Sequence, residues 1–246
     1  MAILEICAGS IESVLAAQRG GAARVELCAA LEIGGTTPSA GLIAQARKIG
    51  GITLNVLIRP RGGDFLYNAY ETECMIEDIR TCKAIGADSI VIGALTPDGD
   101  IDTALCRRLI AEADGMSITF HRAFDMCREP QKALEEIIAL GCHRVLTSGQ
   151  APTAEEGTEL LKQLVAQADG RIIIMPGCGV NSLNAARILQ TTNATEIHAS
   201  ARKSVGSNML FRHGGVSMGN SAYDEYSRSE TCEEEVRKIV TSISCL

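Results

Sequence analysis

Short runs of β-branched and aliphatic residues recur along the chain, at 3–8, 24–28, 53–59, 89–94, 117–122, 144–148, 171–176 and 196–200. Between them lie longer stretches whose apolar residues return at helical spacing, at 10–19, 39–49, 70–85, 101–113, 130–140, 154–168 and 182–189. The first pattern predicts strands and the second amphipathic helices. Gly20-Gly21, Gly86 and Gly141 stand where helices should close in the left-handed conformation that glycine adopts freely. Ser39 is a candidate N-cap, Asn181 and Ser182 are candidate caps for the seventh helix, and Pro130 suits a first helical turn.

Strict alternation of strand and helix predicts parallel strands joined by right-handed crossovers. Eight units in 246 residues average about 31 residues each, close to the roughly 30 of a βαβ step. This points to a single α/β domain over 1–246, a closed (β/α)8 TIM barrel. An open doubly wound sheet is the alternative, and the lack of G-x-G-x-x-G after the first strand counts against it. The segment 203–231 breaks the pattern: it is rich in Gly, Ser, Asn and Met, with Phe211, Tyr223 and Tyr226 as its aromatics. It reads as an extended loop over the barrel mouth or a subunit contact, followed by a closing helix at 232–245.

Composition narrows the function. The 23 basic and 30 acidic residues give a net charge of −7 with no Lys/Arg run, which argues against nucleic acid or anionic membrane as partner. No apolar stretch reaches the roughly 20 residues of a spanning helix. The opening Met1-Ala2-Ile3-Leu4-Glu5-Ile6 lacks a basic region and reads as a strand rather than a signal peptide. The 10 cysteines form no CxxC pair, so the expectation is reduced cytoplasmic thiols, most of them packed as small hydrophobes.

Barrels of this type carry their active face at the C-terminal ends of the strands. Polar residues cluster there: Glu5-Ile6-Cys7, Glu26-Leu27-Cys28, Ile58-Arg59-Pro60-Arg61, Thr119-Phe120-His121-Arg122-Ala123-Phe124-Asp125, Thr147-Ser148 and His198-Ala199-Ser200. Side chains alternate along a strand, so Glu5 shares a face with Cys7, Glu26 with Cys28, and His198 with Ser200. If those faces point inward, they converge on one mouth. Glu5, Glu26, Arg59, His121, Asp125 and His198 are then the acid–base and catalytic candidates. Arg59, Arg61 and Arg122 are the cations expected to partner the carboxylates and to hold an anion. The turn Gly177-Cys178-Gly179, opening toward a helix after the seventh strand, joins Ser200 as an anion-binding candidate. Cys7 and Cys28 occupy equivalent places on adjacent strands, roughly 5 Å apart, where two thiolates can hold a soft ion such as copper(I). Two inert core thiols are the competing explanation. Cys178 is a weaker third contact, and Met126, Met209 and Met218 read as gap-fillers.

The motif set resembles the copper homeostasis protein CutC family. The resemblance rests on Glu5-Ile6-Cys7, Arg24-Val25-Glu26-Leu27-Cys28, Gly34-Gly35-Thr36-Thr37-Pro38-Ser39, Ile58-Arg59-Pro60-Arg61-Gly62-Gly63-Asp64-Phe65, Thr119-Phe120-His121-Arg122-Ala123-Phe124-Asp125, Arg144-Val145-Leu146-Thr147-Ser148-Gly149 and Asp224-Glu225-Tyr226-Ser227. It implies a cytosolic TIM barrel linked to copper tolerance and a homo-oligomer, dimer or tetramer. It also implies copper(I) held by Cys7 and Cys28.

Three functions stay open at this point. The first is a copper-handling protein. The second is an enzyme acting on a small phosphorylated or carboxylated metabolite, since the arginines and the glycine turn have no role in a two-thiolate site. The third is a barrel without catalysis, its polar mouth an ion-pair network, in which Glu26→Gln should cost several kcal/mol.

Overall fold

The computed structural model describes residues 2–216, 218 and 224–244. The elements alternate as expected: β1 (Ile3–Ala8), α1 (Ile11–Gly20), β2 (Arg24–Leu27), α2 (Ala40–Arg47), β3 (Thr53–Leu57), α3 (Ala69–Ile85), β4 (Ser89–Ile92), α4 (Thr103–Ala113), β5 (Ser117–Phe120), α5 (Pro130–Ala139), β6 (Arg144–Thr147), α6 (Thr158–Ala168), β7 (Ile173–Pro176), α7 (Ala185–Thr192) and β8 (Glu196–Ala199). Every ladder in the eight-stranded sheet is parallel, in the order β7-β6-β5-β4-β3-β2-β1-β8. β7 and β8 lie side by side at the ends of that order, so the barrel is nearly closed.

Local chemistry sets the helix ends. Ser39 caps α2 by accepting from Leu42 N, as expected, and Asn68 with Glu71 forms a capping box on α3. Pro130 begins α5. The seventh helix differs from expectation. It starts at Ala185 with Asn184 in the cap position, while Asn181 folds back locally to accept from Leu183 N. Several strands end one or two residues earlier than the hydrophobic runs suggest, and Cys28, Arg59, His121 and Ser200, just past those ends, line the barrel mouth. The segment 203–231 is not one extended loop. Its ends form an antiparallel ribbon, β9 (Arg202–Gly206) with β10 (Ser227–Thr231), tied to α1 where Thr231 N donates to Ser13 Oγ. The closing helix is α8 (Glu233–Ile243), packed on α1 and α7. Tyr223 and Cys245 lie outside the described residues.

Two environments follow from strand alternation. Outward residues such as Leu4, Ile6, Val25, Leu27, Val56, Ile90, Ile92, Phe120 and Ile197 join the helices in one large apolar core. The inward residues are unlike a usual barrel filling of branched aliphatics. Glu5, Arg24, Glu26, Asn55, Ser89, Thr119, Glu196 and His198 are buried and polar; the inner apolar side chains include the cluster of Cys7, Cys28, Leu57 and Val91, with Leu31 against it, and Leu146 and Met175. At the lower end Arg24 binds both Glu5 and Glu196, and Arg144 binds Glu196 at 2.8 Å. Replacing Arg24 with Met should leave two buried carboxylates without their shared cation. A loss of about 3–5 kcal/mol in chemical denaturation is expected; an unchanged midpoint would contradict the role given to this network.

Candidate functional site

A cavity of about 520 Å³ opens at the C-terminal mouth of the barrel. Cys7, Glu26, Cys28, Arg59, His121, Arg122, Asp125, Gly179, His198, Ser200 and Arg202 are among its lining residues. Most of the strand-end residues singled out by alternation therefore do meet around one space.

The register explains how the deepest group is assembled. Glu5 pairs with Arg24 on one side and His198 on the other, and Cys7 pairs with Glu26. Glu5 is fully buried beneath the cavity. Its carboxylate takes hydrogen bonds from Arg24 Nε at 2.5 Å, Asn55 Nδ2 at 2.9 Å and His198 Nδ1 at 2.7 Å. Burial alone would raise its pKa, but His198 and Arg24 together hold it down to about 2. The same contact raises His198 well above its ordinary value despite burial, through hydrogen bonds with Cys7 and Glu5 and the nearby carboxylates. Glu5 thus acts on the cavity through His198.

Above this pair sit two sulfurs and a second carboxyl. Cys7 Sγ and Cys28 Sγ are 3.8 Å apart, and Cys28 Sγ is 3.5 Å from a Glu26 oxygen. His198 Nε2 is 3.8 Å from the same carboxyl. One ligand atom each from Cys7, Glu26 and His198 falls within 4.8 Å of the others, close enough to surround a single ion. The Cys28 hydrogen bond pulls Cys7 well below the ordinary thiol value, with His198 assisting against burial. Cys28 is pushed well above it, by sharing its proton with Cys7 and by burial. Among the described residues no arginine pairs with Glu26. Burial raises it to about 8, opposed by His198 and reinforced by Cys7 and Glu5.

The cations are where the sequence reading needs correction. Arg59, Arg61 and Arg122 do not partner the buried carboxylates; Arg24 does, and it was not among the candidates. Arg59 spends Nη1 on the Ile33 and Gly35 carbonyls and Nη2 on that of Gly63. Arg61 turns outward, pairs with Asp64 and Glu71, and does not line the cavity. Arg122 pairs with Asp125 and bonds Ser148 Oγ.

Asp125 has its lone pairs filled by Arg122 Nε, Thr147 Oγ1, Ser148 N and Oγ and Gln150 N. It ties the turn after β5 to the turn after β6, an arrangement that leaves little for acid–base work. The glycines of the seventh turn have a packing reason. A Cβ at Gly177 would lie 2.5 Å from Leu146 and 3.2 Å from His198, and one at Gly179 would lie 3.0 Å from Thr153. With α7 starting only at Ala185, this turn does not open directly onto a helix N-terminus. Cys178 lines the cavity with its Sγ on the Pro152 carbonyl at 3.2 Å.

Such a structure is a TIM-barrel protein with its polar site at the C-terminal mouth. The family model named CutC family matches residues 2–203. A CutC family protein from Chromobacterium violaceum is 54% identical over 237 residues, covering 96% of each chain. A copper homeostasis protein cutC homolog from Mus musculus is 50% identical, over 96% of this chain and 88% of that one. The Streptococcus agalactiae structure described as copper homeostasis protein CutC superposes with a TM-score of 0.79 at 36% identity, over 81% of this chain and 99% of the other. The chain belongs to the CutC family.

The elevated Glu26 carboxyl reverses the stability effect expected for its replacement. Between about pH 4.5 and about pH 8 the unfolded chain has lost this proton while the folded chain keeps it. Folding stability therefore falls as pH rises through that window. Glu26→Gln should remove the fall, gaining on the wild type by up to ~1.4 kcal/mol per pH unit. Denaturation curves collected across the window check this, and parallel curves for the two proteins would refute it.

Proposed function

We propose that the protein binds copper(I) as its cargo at the barrel mouth, with Cys7 and Cys28 supplying the sulfurs. The observation that carries this reading is the pair of buried sulfurs 3.8 Å apart, which can both reach one ion between them. Thiolate sulfur is the donor that selects copper(I) over harder ions. His198 Nε2 and the Glu26 carboxyl stand beside the sulfurs as further donors, and Glu5 fixes the imidazole from behind as an outer partner does for a metal-bound histidine. Copper homeostasis named in the relatives supports the same reading. Reduced thiols of this kind fit residence in the cytoplasm.

An anaerobic copper(I) competition titration tests the site. Cys7→Ser and Cys28→Ser should each lose well over tenfold in affinity, since loss of an outer partner alone costs roughly 10–100-fold. Binding by the double variant equal to wild type would remove both cysteines from the site.

The proposal extends to a homo-oligomer, dimer or tetramer. Between the two ribbon strands, Met209, Leu210, Phe211, Val216 and Met218 are exposed, an apolar patch of the kind that marks a protein contact. Light scattering on the full chain should give a multiple of the monomer mass, reduced in Leu210→Ser/Phe211→Ser. A monomeric wild type would end this part of the reading.

A further inference from the structure

The copper reading leaves most of the cavity unexplained. A single ion beside β1, β2 and β8 fills a small part of about 520 Å³, a volume in the range of small-molecule sites. The other wall, built from the ends of β3 and β5, carries Arg59 and His121, exposed by only 5% and 4%. Five buried side-chain atoms among the described residues have no hydrogen-bond partner: Asn55 Oδ1, Arg59 Nε, Tyr67 Oη, Thr119 Oγ1 and His121 Nε2. The residues of this group that line the cavity are Arg59 and His121, and both present N–H donors.

The state of His121 follows from its contacts. Its Nδ1 accepts from Ala123 N at 3.1 Å, so the ring proton sits on Nε2. Burial, and then the Arg59 charge, push the imidazole down to about 3, so it is neutral and donates a single N–H. Gly93 leaves the room for this ring, since a Cβ there would lie 2.5 Å from it. Arg59 carries a buried positive charge with no carboxylate partner among the described residues; Nη1 and Nη2 donate to three main-chain carbonyls, and the Tyr67 hydroxyl lies near the same guanidinium. Arg202 on the same cavity likewise has no ion pair among the described residues, whereas Arg122 is offset by Asp125. A buried donor without an acceptor is expensive to keep, and two on one cavity wall call for a shared acceptor that also brings negative charge. Phe65 packs over both groups, 5.1 Å from the guanidinium and 5.1 Å from the imidazole, and the donors are closed to bulk water.

We propose that the Phe65 ring turns aside and the cavity then binds a small organic carboxylate, whose oxygens accept from Arg59 Nε and His121 Nε2, by a site that does not need copper. A planar carboxylate offers two oxygens to N–H donors on one cavity wall and neutralises the Arg59 charge. The site lies across the mouth from the glycine turn after β7.

The test uses the full chain freed of metal by chelation, with pyruvate, L-malate and citrate as probes and inorganic phosphate as the contrasting anion. Binding is read by saturation-transfer NMR and calorimetry. At least one carboxylate should bind, and phosphate should not compete with it. His121→Asn keeps an acceptor near the Ala123 amide but removes the Nε2 donor. It should weaken carboxylate binding roughly tenfold or more. Should that variant fold poorly, the wild-type His121 Nε2–H resonance provides the second readout, and it should move on adding the carboxylate. Cys7→Ser/Cys28→Ser should bind the carboxylate with wild-type affinity, which separates this site from the copper reading. The proposal fails if none of the three carboxylates binds, if phosphate binds and they do not, if His121→Asn binds as tightly as wild type, or if the histidine resonance stays in place.

Discussion

A guanidinium enclosed inside a strand barrel is the constraint on which the rest of this structure turns. Arg24 sits among inward-facing groups and binds Glu5 and Glu196 together. Its charge, with the His198 hydrogen bond, keeps Glu5 ionised despite complete burial. An ionised Glu5 holds His198 by Nδ1, which leaves Nε2 to face Glu26 and Cys7. The imidazole then assists in lowering Cys7, while Cys28 and Glu26 retain their protons. The layer below thus contributes through His198, while the Cys7–Cys28 hydrogen bond and burial set the rest of the protonation pattern at the mouth. A buried pair would be poor evidence for stability by itself; its consequence here is a fixed orientation of the histidine above it.

Such an interior is tolerated because the apolar driving force lies elsewhere. The outward strand faces and the helices form one continuous hydrophobic core around the barrel. That layer carries the burial free energy, so the inner face is released from it. The space within is then filled by polar groups that satisfy one another at the bottom and by a few small apolar side chains near the top. Two of the unsatisfied groups, on Arg59 and His121, stand past the ends of β3 and β5 on the cavity wall.

The architecture was legible because period-2 and period-3.6 patterns alternate strictly, and the convergence of Cys7, Glu26, Cys28, His121 and His198 followed from strand parity. Parity also had the means to find Arg24, Asn55 and Glu196, which share faces with Glu26, Leu57 and His198. They were missed because attention went to strand C-terminal ends, whereas the ion network occupies the N-terminal halves. The roles given to Arg59, Arg61 and Arg122 could not be read in the same way. Each leaves its strand, and its partner is set by a loop: carbonyls of the Leu31–Ile33 turn and its neighbours for Arg59, Asp64 and Glu71 for Arg61, Asp125 for Arg122. The glycine turn after β7 carried an ambiguous signal, since glycine answers to close packing as readily as to an anion. The ribbon of β9 and β10 was hidden because short, exposed strands lack a buried face to create alternation.

The two walls of the cavity differ in a way that simple storage of an ion does not require. One side, on β1, β2 and β8, offers soft sulfur with an imidazole and a protonated carboxyl. The other, beyond β3 and β5, offers hard N–H donors and, in Arg59, a cation with no carboxylate partner among the described residues. A positive group does nothing to attract a positive ion, so Arg59 and Arg202 oppose copper(I) electrostatically unless the thiolates or a second, anionic ligand offset them. An organic carboxylate on the far wall supplies that offset within the same space. Copper(I) and an anion would then favour each other's binding through charge alone, a coupling that by thermodynamic linkage must be equal in both directions. The arrangement makes physical sense of a barrel mouth that carries, beside two sulfurs, arginines that no thiolate site needs.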